Sequence, residues 1–334
     1  MALDLLLRRI DPIFSQTKLK NFIITGVNDF LPFPRNLFFS LAARGRGIHV
    51  RLAKKPNIYP FKEFIQKSRP DPPSFEGMTG SPDEVAVVQY TRGTSGRPKG
   101  VPLTHKNLIA NLHQVSTWLG NYQIGKEIFI SILPFHQVQG MTLAMNLPIF
   151  WAAGAIQQPR FDPLQFLPAV KAHRPTIFPA HASMIESLVW NTDLAKYKIS
   201  SIKTYCSLGQ PLYEEVLQNF ERKTGGRVME CYGLSEASPL THASPIRGKR
   251  KVGSIGIPLP DTDAKIVAPE DGEKELPTGE AGELVIQGPQ VMKGYWNQPE
   301  ETGRTLYRGW LRTGDLARMD EEGFFYYVEK IKKQ

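Results

Sequence analysis

Cysteine is almost missing: Cys206 and Cys231 are the only two in 334 residues. Two are too few for a disulfide framework, and the expected compartment is a reducing cytosol. The chain also lacks an apolar run long enough to cross a bilayer, because its longest candidate, residues 141–156, is interrupted by Asn146 and Pro148. The opening MALDLLLRRIDP places Asp4 early and its arginines after the leucines, the reverse of a secretory signal. No internal repeat is visible. With 41% hydrophobic and 22% charged residues, the composition excludes a disordered tail, a collagen-like repeat and a disulfide-stapled miniprotein. The length exceeds what one hydrophobic core usually serves, so two or three packed units are expected.

Acidic residues are scarce in the first fifth of the chain. Residues 1–70 hold thirteen Lys/Arg against four Asp/Glu, which accounts for the entire net charge of +9. Within it, LPFPRNLFFSLAARGRGIHVR interleaves arginines with aromatic and apolar side chains. Two readings fit: a surface resting on anionic lipid, at the inner face of a membrane, or a solvated basic rim over an ordinary core. Nucleic acid is not an expected partner, since the segment carries no recognised binding motif.

Alternating apolar runs and helical periods organise the rest. LKNFIIT (Leu19 to Thr25) reads as a short buried strand after a helical start at Leu3 to Ile10, and residues 68–82 read as a Pro/Gly/Ser-rich surface connection. VAVVQY (Val85 to Tyr90) is a second strand. A helix is expected from Thr104 to about Leu119, and a strand from Ile128 to Leu133. Helices at Pro163 to His173, Ser183 to Val189 and Leu212 to Thr224 alternate with extended pieces at Thr176 to Pro179 and Ile202 to Ser207. The pattern predicts an α/β fold, with parallel sheets covered by helices on both faces. After about Arg250, short β-rich pieces between Pro/Gly turns predict a small barrel or a distorted antiparallel sheet.

The most unusual stretch is YTRGTSGRPKG, expected to turn from a strand into a helix. Gly93, Gly96 and Gly100 allow a tight backbone whose N–H groups face an anion; Thr91, Thr94 and Ser95 add hydroxyls, and Arg92, Arg97 and Lys99 add positive charge. The set suits a polyphosphate. It fits neither the G-x-x-x-x-G-K-[ST] loop nor the G-x-G-x-x-G fingerprint.

YTRGTSGRPKGVPLTHKNL resembles the phosphate-loop signature of the adenylate-forming superfamily of acyl-CoA synthetases. Further segments agree in order: LPFHQVQGMTLAMNLP, CSLGQPL, CYGLSEASPLTH, GELVIQGPQVMKGYWNQPEET and WLRTGDLARMDEEGFFYYVEKIK. Together they are most similar to long-chain fatty acid–CoA ligases of bacterial type. The resemblance implies the large N-terminal domain of that fold, in four parts: a first α/β subdomain at 1–155 with the phosphate loop at 90–100, a second at 156–250, a β-barrel-like subdomain at 251–328 and a hinge stub at 329–334. It also implies ATP, Mg²⁺ and coenzyme A, with a fatty acid activated first to acyl-AMP and then to acyl-CoA.

On that resemblance Thr91, Arg92, Gly93, Thr94, Ser95, Gly96 and Lys99 grip the phosphates. Glu236 takes the metal, as a hard cation favours carboxylate oxygen, and Ser235 faces the α-phosphate. Gly209, Gln210, Pro211, Tyr232 and Gly233 surround adenine, while Asp315, Tyr327 and Lys330 lie at the ribose. An ionised carboxylate suits a diol because it only accepts. His136 is implied as an orienter between nucleotide and acyl tunnel, with Met141, Phe178 and Pro179 lining the tunnel. Core packing is the competing reading for those three.

The pattern departs from the family at several points. Arg92 replaces a small residue, Gln137 and Gln139 replace aromatic or small ones, and Lys330 replaces an arginine, which loses a planar fork. Lys332 matches the hinge of the family's C-terminal lid, and the expectation is a chain truncated at both ends whose lid is absent and which ligates poorly alone. Two alternatives stay open: adenylation of an aryl or amino acid, and a non-catalytic nucleotide- or lipid-binding protein. FPAHAS carries no acidic residue of the kind an amino-acid substrate would favour.

Overall fold

The computed structural model describes residues 2–7, 12, 16–26, 28–39, 57–67, 80–91, 98–120, 122–190, 194–197, 199–270 and 272–331. The chain forms two compact units, Met1–Thr79 and Gly80–Gln334. No helix among the described residues is long and apolar enough to cross a membrane.

In the first unit, strands β1 (Ala2–Leu3), β2 (Phe22–Thr25) and β3 (Ile58–Pro60) pair in parallel in that order. Helix α1 (Phe61–Gln66) follows β3 directly. Of the expected helical start at Leu3 to Ile10, Leu3 instead ends strand β1, paired with Thr25, and a 3₁₀ turn follows at Asp4–Leu6; residues 8–10 lie outside the described residues. Tertiary pairing overrides local helix preference at Leu3.

The second unit opens with an antiparallel ribbon, β4 (Val85–Thr91) and β5 (Lys99–Thr104), with Thr91 opposite Lys99. The described residues on either side of the glycine-rich stretch are thus two antiparallel strands, where the expectation had a strand followed by a helix; residues 92–97 lie outside the described residues. Helix α2 (His105–Leu119) begins only after β5. Gly100 and Pro102 disguised β5 in the sequence; a proline is tolerated because a two-stranded ribbon has only edges. The helix start is fixed by a capping box: Thr104 Oγ1 accepts from Asn107 N–H at 3.1 Å, and Asn107 Oδ1 accepts from Thr104 N–H at 3.0 Å.

The chain next forms β6 (Ile128–Ser131), a π-helix at Gly140–Asn146, α3 (Leu147–Phe150) and β7 (Gly154–Gln157). A Cβ on Gly140 would lie 2.1 Å from the Pro134 carbonyl oxygen, so the π-helix can approach that turn only through glycine. Helix α4 (Pro163–His173), β8 (Ile177–His181), α5 (Ala182–Val189), β9 (Thr204–Leu208), α6 (Glu214–Thr224), β10 (Arg227–Gly233), β11 (Leu240–Ala243) and β12 (Ile257–Pro258) complete the layer. The seven strands lie in the order β12-β11-β10-β9-β8-β6-β7. The five from β10 to β7 run parallel, and β11 and β12 are antiparallel additions at one edge.

Strand alternation splits neighbouring residues between two cores. Ile130, Phe178, Tyr205 and Val228 face α4, α5 and α6, meeting Phe166, Ile185 and Phe220. Phe129, Ile177, Cys206 and Met229 face α2 and the π-helix, meeting Leu112, Val115 and Leu143. Burial on both faces explains the nearly continuous apolar runs of these strands.

The last layer is antiparallel: β13 (Asp263–Val267), β14 (Gly282–Gln287), helix α7 (Pro299–Thr305), β15 (Leu306–Tyr307), β16 (Trp310–Met319) and β17 (Phe325–Lys330). Its strand order is β13-β14-β16-β15, with β17 also on β16 and register shifts at Glu283/Val285 and Leu316/Ala317. This is the distorted sheet of the expectation, kinked by bulges.

Helix α2 ties these layers together through buried amides at helical spacing. Asn107 Nδ2 donates to the carbonyls of Pro289 and Val291, both at 2.9 Å. Asn111 donates to Leu240 O at 2.7 Å and accepts from Leu240 N–H at 3.1 Å. Gln114 donates to Pro260 O at 2.8 Å and to Gln290 Oε1 at 3.0 Å.

Candidate functional site

Parallel strands present their carboxyl ends at one edge, where open α/β sheets bind ligands. The register sets that edge: Leu208 of β9 lies opposite His181 of β8 and Cys231 of β10. The turn Gly209–Gln210–Pro211 leaves β9 at this level, beside Tyr232 and Gly233 of β10. Gly209 has φ +100°, and Gly209 and Gln210 are exposed. Gly233 is obligatory by contact: an added Cβ would lie 1.9 Å from the Pro239 carbonyl oxygen. Ser235 and Glu236 follow in a 3₁₀ turn, Ser235–Ala237.

One corner of the site centres on Asp315 of β16, which is only 7% exposed. Tyr232 Oη donates to its Oδ2 at 2.6 Å, and Lys330 Nζ pairs with its Oδ1 at 2.8 Å. The β16–β17 register places Lys330 directly opposite Asp315. Lys330 also donates to Thr313 O at 3.0 Å. Burial first, and then the Asp315 charge, push the Tyr232 phenol well above its ordinary value, which keeps the hydroxyl protonated and donating. Tyr327 on the same strand as Lys330 is raised by burial and by the charges of Asp315 and Glu329.

A second corner joins the ribbon to the turn after β10. Residues 292–301 run between them as a strap. Trp296 N–H donates to Gly100 O at 2.9 Å, and Met292 N–H donates to Glu236 O at 2.8 Å. Tyr295 Oη donates to Glu236 Oε1 at 2.8 Å, while the Lys99 ammonium lies 5.0 Å from the Tyr295 ring centroid. Lys99 Nζ forms an ion pair with Glu301. Tyr295 is raised by burial and then by the Glu236 charge. Lys99 and Glu236 are thus brought within reach of one side chain, although 137 positions separate them in the sequence. Among the described residues no group of three His, Cys, Asp or Glu could hold a metal by itself.

The remaining expected residues are placed as follows. Thr91 ends β4, opposite Lys99. Arg92, Gly93, Thr94, Ser95, Gly96 and Lys332 lie outside the described residues. His136 is exposed in the turn between β6 and the π-helix. Met141 is buried in the cluster of Val101, Leu103, Met292 and Leu311. Phe178 is packed 4.8 Å from the Phe166 ring in the α4–α6 core, and Pro179 is buried next to it on β8. The structure places Met141 and Phe178 in separate apolar clusters. Cys206 and Cys231 are buried and unlinked, and burial pushes the Cys206 thiol up to about 12, so both act as core residues.

A model of the AMP-binding enzyme family matches residues 36–296. The chain belongs to that family. It is 43% identical over 332 residues to a long-chain-fatty-acid–CoA ligase of Bacillus subtilis, covering 99% of this chain and 59% of the relative. A long-chain-fatty-acid–CoA ligase of Yersinia pestis is 30% identical over 332 residues, covering 97% of this chain and 57% of that protein. Among solved structures, ATP-bound MatB from Rhodopseudomonas palustris has a TM-score of 0.75 at 27% identity, over 97% of this chain and 61% of that one. The chain therefore spans about three-fifths of the length of the relatives it matches. The resemblance to adenylate-forming enzymes and the α/β fold expected from it both hold.

In this AMP-binding enzyme, sequence reasoning missed Tyr295 and Glu301, the partners of Glu236 and Lys99. They sit in GYWNQPEET, part of one of the segments that carry the resemblance, but neither side chain was singled out there. The amides of α2 were also missed, though Asn107, Asn111 and Gln114 recur at i, i+4 and i+7, a visible polar stripe inside an apolar helix.

Proposed function

We propose that this chain is the nucleotide- and acid-binding portion of an AMP-forming long-chain fatty acid–CoA ligase. A fatty carboxylate oxygen attacks the α-phosphorus of ATP, the bond to the β-phosphate oxygen breaks, and pyrophosphate leaves. The coenzyme A thiol then attacks the acyl carbon of acyl-AMP, and AMP departs. An anion attacking a polyanion requires charge neutralisation above all. Lys99 supplies a mobile cation at the foot of the hairpin, with Thr91 opposite it and the loop residues 92–96 completing the grip. Ser235 supplies a hydroxyl toward the α-phosphate. Asp315 accepts from the ribose diol, assisted by Tyr232 and Lys330, and Gly209 to Pro211 border adenine.

Glu236 is the residue fitted to Mg²⁺. A single carboxylate without a surrounding protein cage suits a cation held mainly by substrate phosphates. Tyr295 donates to one oxygen and orients the other. Bound there, the ion would neutralise phosphate charge.

The observation that carries the reading is the convergence of four distant segments through named contacts: Lys99 with Glu301, Glu236 with Tyr295, and Asp315 with both Tyr232 and Lys330. The experiment is ATP–pyrophosphate exchange by the chain across fatty, aryl and amino acids, alongside calorimetry with ATP. Long-chain fatty acids should stimulate exchange most. Stimulation only by aryl or amino acids, or a chain that binds no ATP, would overturn it.

A peripheral membrane contact has its own observation. In the first unit Phe30, Phe33, Leu37 and Phe38 are exposed, Phe33 by 82%, on the segment carrying Arg35. Apolar and basic side chains together favour an anionic surface. The chain is expected to pellet with phosphatidylglycerol vesicles and to stay in solution with phosphatidylcholine ones at low salt; equal behaviour with both would remove the contact.

A further inference from the structure

Lys99 and Glu236 are expected to bind phosphate and metal, but each already has a protein partner on the strap 292–301. The pairing of Lys99 with Glu301 is the informative one. Its side chains are 12% and 20% exposed, so water screens the pair weakly. The backbone beside it is fastened independently: Trp296 N–H holds Gly100 O, and Thr302 Oγ1 accepts from Tyr295 N–H at 2.9 Å. Lysine has a flexible four-carbon stem with no fixed geometry. Lys99 can change its anionic partner by rotating its side chain while the ribbon and strap keep their hydrogen bonds. The Tyr295 ring beneath the ammonium is a face over which a cation remains stabilised during such a move.

Resting on the nucleotide reading above, we propose that Glu301 is an internal stand-in for polyphosphate. It holds Lys99 when the phosphate site is empty and surrenders it, by exchange of one anion for another, when the β- and γ-phosphates of ATP or free pyrophosphate arrive. No bond is made or broken in the exchange. Two consequences follow. Glu301 lowers the affinity for any polyphosphate, because the resident pair must be separated first. It also favours departure of pyrophosphate after adenylation, because a ready partner recaptures Lys99. AMP reaches neither phosphate position and is indifferent to Glu301.

The test uses the full chain and calorimetry with inorganic pyrophosphate, ATP and AMP. Glu301→Gln is expected to tighten pyrophosphate and ATP about three- to tenfold and to leave AMP within about twofold. Glu301→Asp, which keeps the charge on a shorter stem, should fall between wild type and the glutamine variant. Glu300→Gln, at the exposed neighbouring position, should match wild type for all three ligands. Unchanged or weaker pyrophosphate binding by Glu301→Gln, with normal ATP binding by the wild-type chain, overturns the exchange alone. A wild-type chain that binds neither ATP nor pyrophosphate overturns the nucleotide reading, and the exchange falls with it.

Discussion

Replacing Asp315 by alanine is expected to weaken both ATP and AMP about a hundredfold and to leave inorganic pyrophosphate unaffected. The carboxylate is almost wholly buried, and each oxygen already has one partner: Oδ2 accepts from Tyr232 and Oδ1 forms an ion pair with Lys330. A carboxylate has about four acceptor positions, so one per oxygen stays open, a spacing matched to two adjacent ribose hydroxyls. Hydrogen bonds to a charged acceptor contribute about 1.5–3 kcal/mol each. Losing the pair as a unit therefore costs on the order of a hundredfold in affinity. Asparagine should also bind poorly: it loses the charge paired with Lys330, and its NH₂ cannot accept from a ribose hydroxyl. Tyr232→Phe removes only the orienting contact and should cost about three- to tenfold. Titration of each variant with AMP and pyrophosphate reads the split directly. Wild-type AMP affinity in the alanine variant would remove Asp315 from the site.

Acid should destabilise the second unit through His242. This histidine on β11 is fully buried, with Nδ1 3.0 Å from Thr241 Oγ1 and Nε2 without a hydrogen-bond partner among the described residues. Its ring is edge-on to Tyr232 and to Phe325, at 5.8 and 4.8 Å between centroids. Burial pushes the imidazole down to about 3. The folded chain therefore keeps it neutral where the unfolded chain, titrating near 6.5, takes up a proton. Above pH of about 6.5 the two states agree and nothing is lost. Between about 6.5 and 3 stability falls as pH falls, by at most about 1.4 kcal/mol per pH unit and several kcal/mol in all. Glu230 acts in the opposite sense: burial raises its carboxyl, so the fold gains from protonating it as pH falls. Urea denaturation from pH 7 to 4 should show a steeper loss in wild type than in His242→Gln. Parallel curves would mean that the imidazole is not shielded as described.

Much of the fold was legible because local and long-range signals agreed. Pro163–His173 was read to the residue: Asp162 caps it by accepting from Leu164 N–H at 3.0 Å, Pro163 suits the first turn, and Arg174 leaves the helix in the left-handed region at φ 49°. Strands β8 and β9 were expected as the extended pieces Thr176 to Pro179 and Ile202 to Ser207 between helices, and lie at Ile177–His181 and Thr204–Leu208. The ribbon was not legible, since KGVPLT has neither alternation nor β-branched density, and its pairing with VAVVQYT is a tertiary fact.

The site was legible only where residues belong to motifs. Tyr232, Glu236, Lys99 and Asp315 were named from resemblance, and the contacts that join them were not. Tyr295 lies 59 positions from Glu236, and Glu301 lies 202 from Lys99. Charge complementarity over such separations leaves no periodic trace.

Helix α2 has a mechanical corollary. Its three amides moor separate stretches of chain, at Leu240, at Pro260 and at Pro289 to Val291, to one rigid rod. The moorings are not independent: Asn111 Nδ2 also donates to Gln114 Oε1 at 3.0 Å, and Gln114 reaches Gln290, between the two carbonyls that Asn107 holds. Clipping one amide therefore loosens its neighbours as well, and a lineage that remodels one of those stretches must re-tie the others.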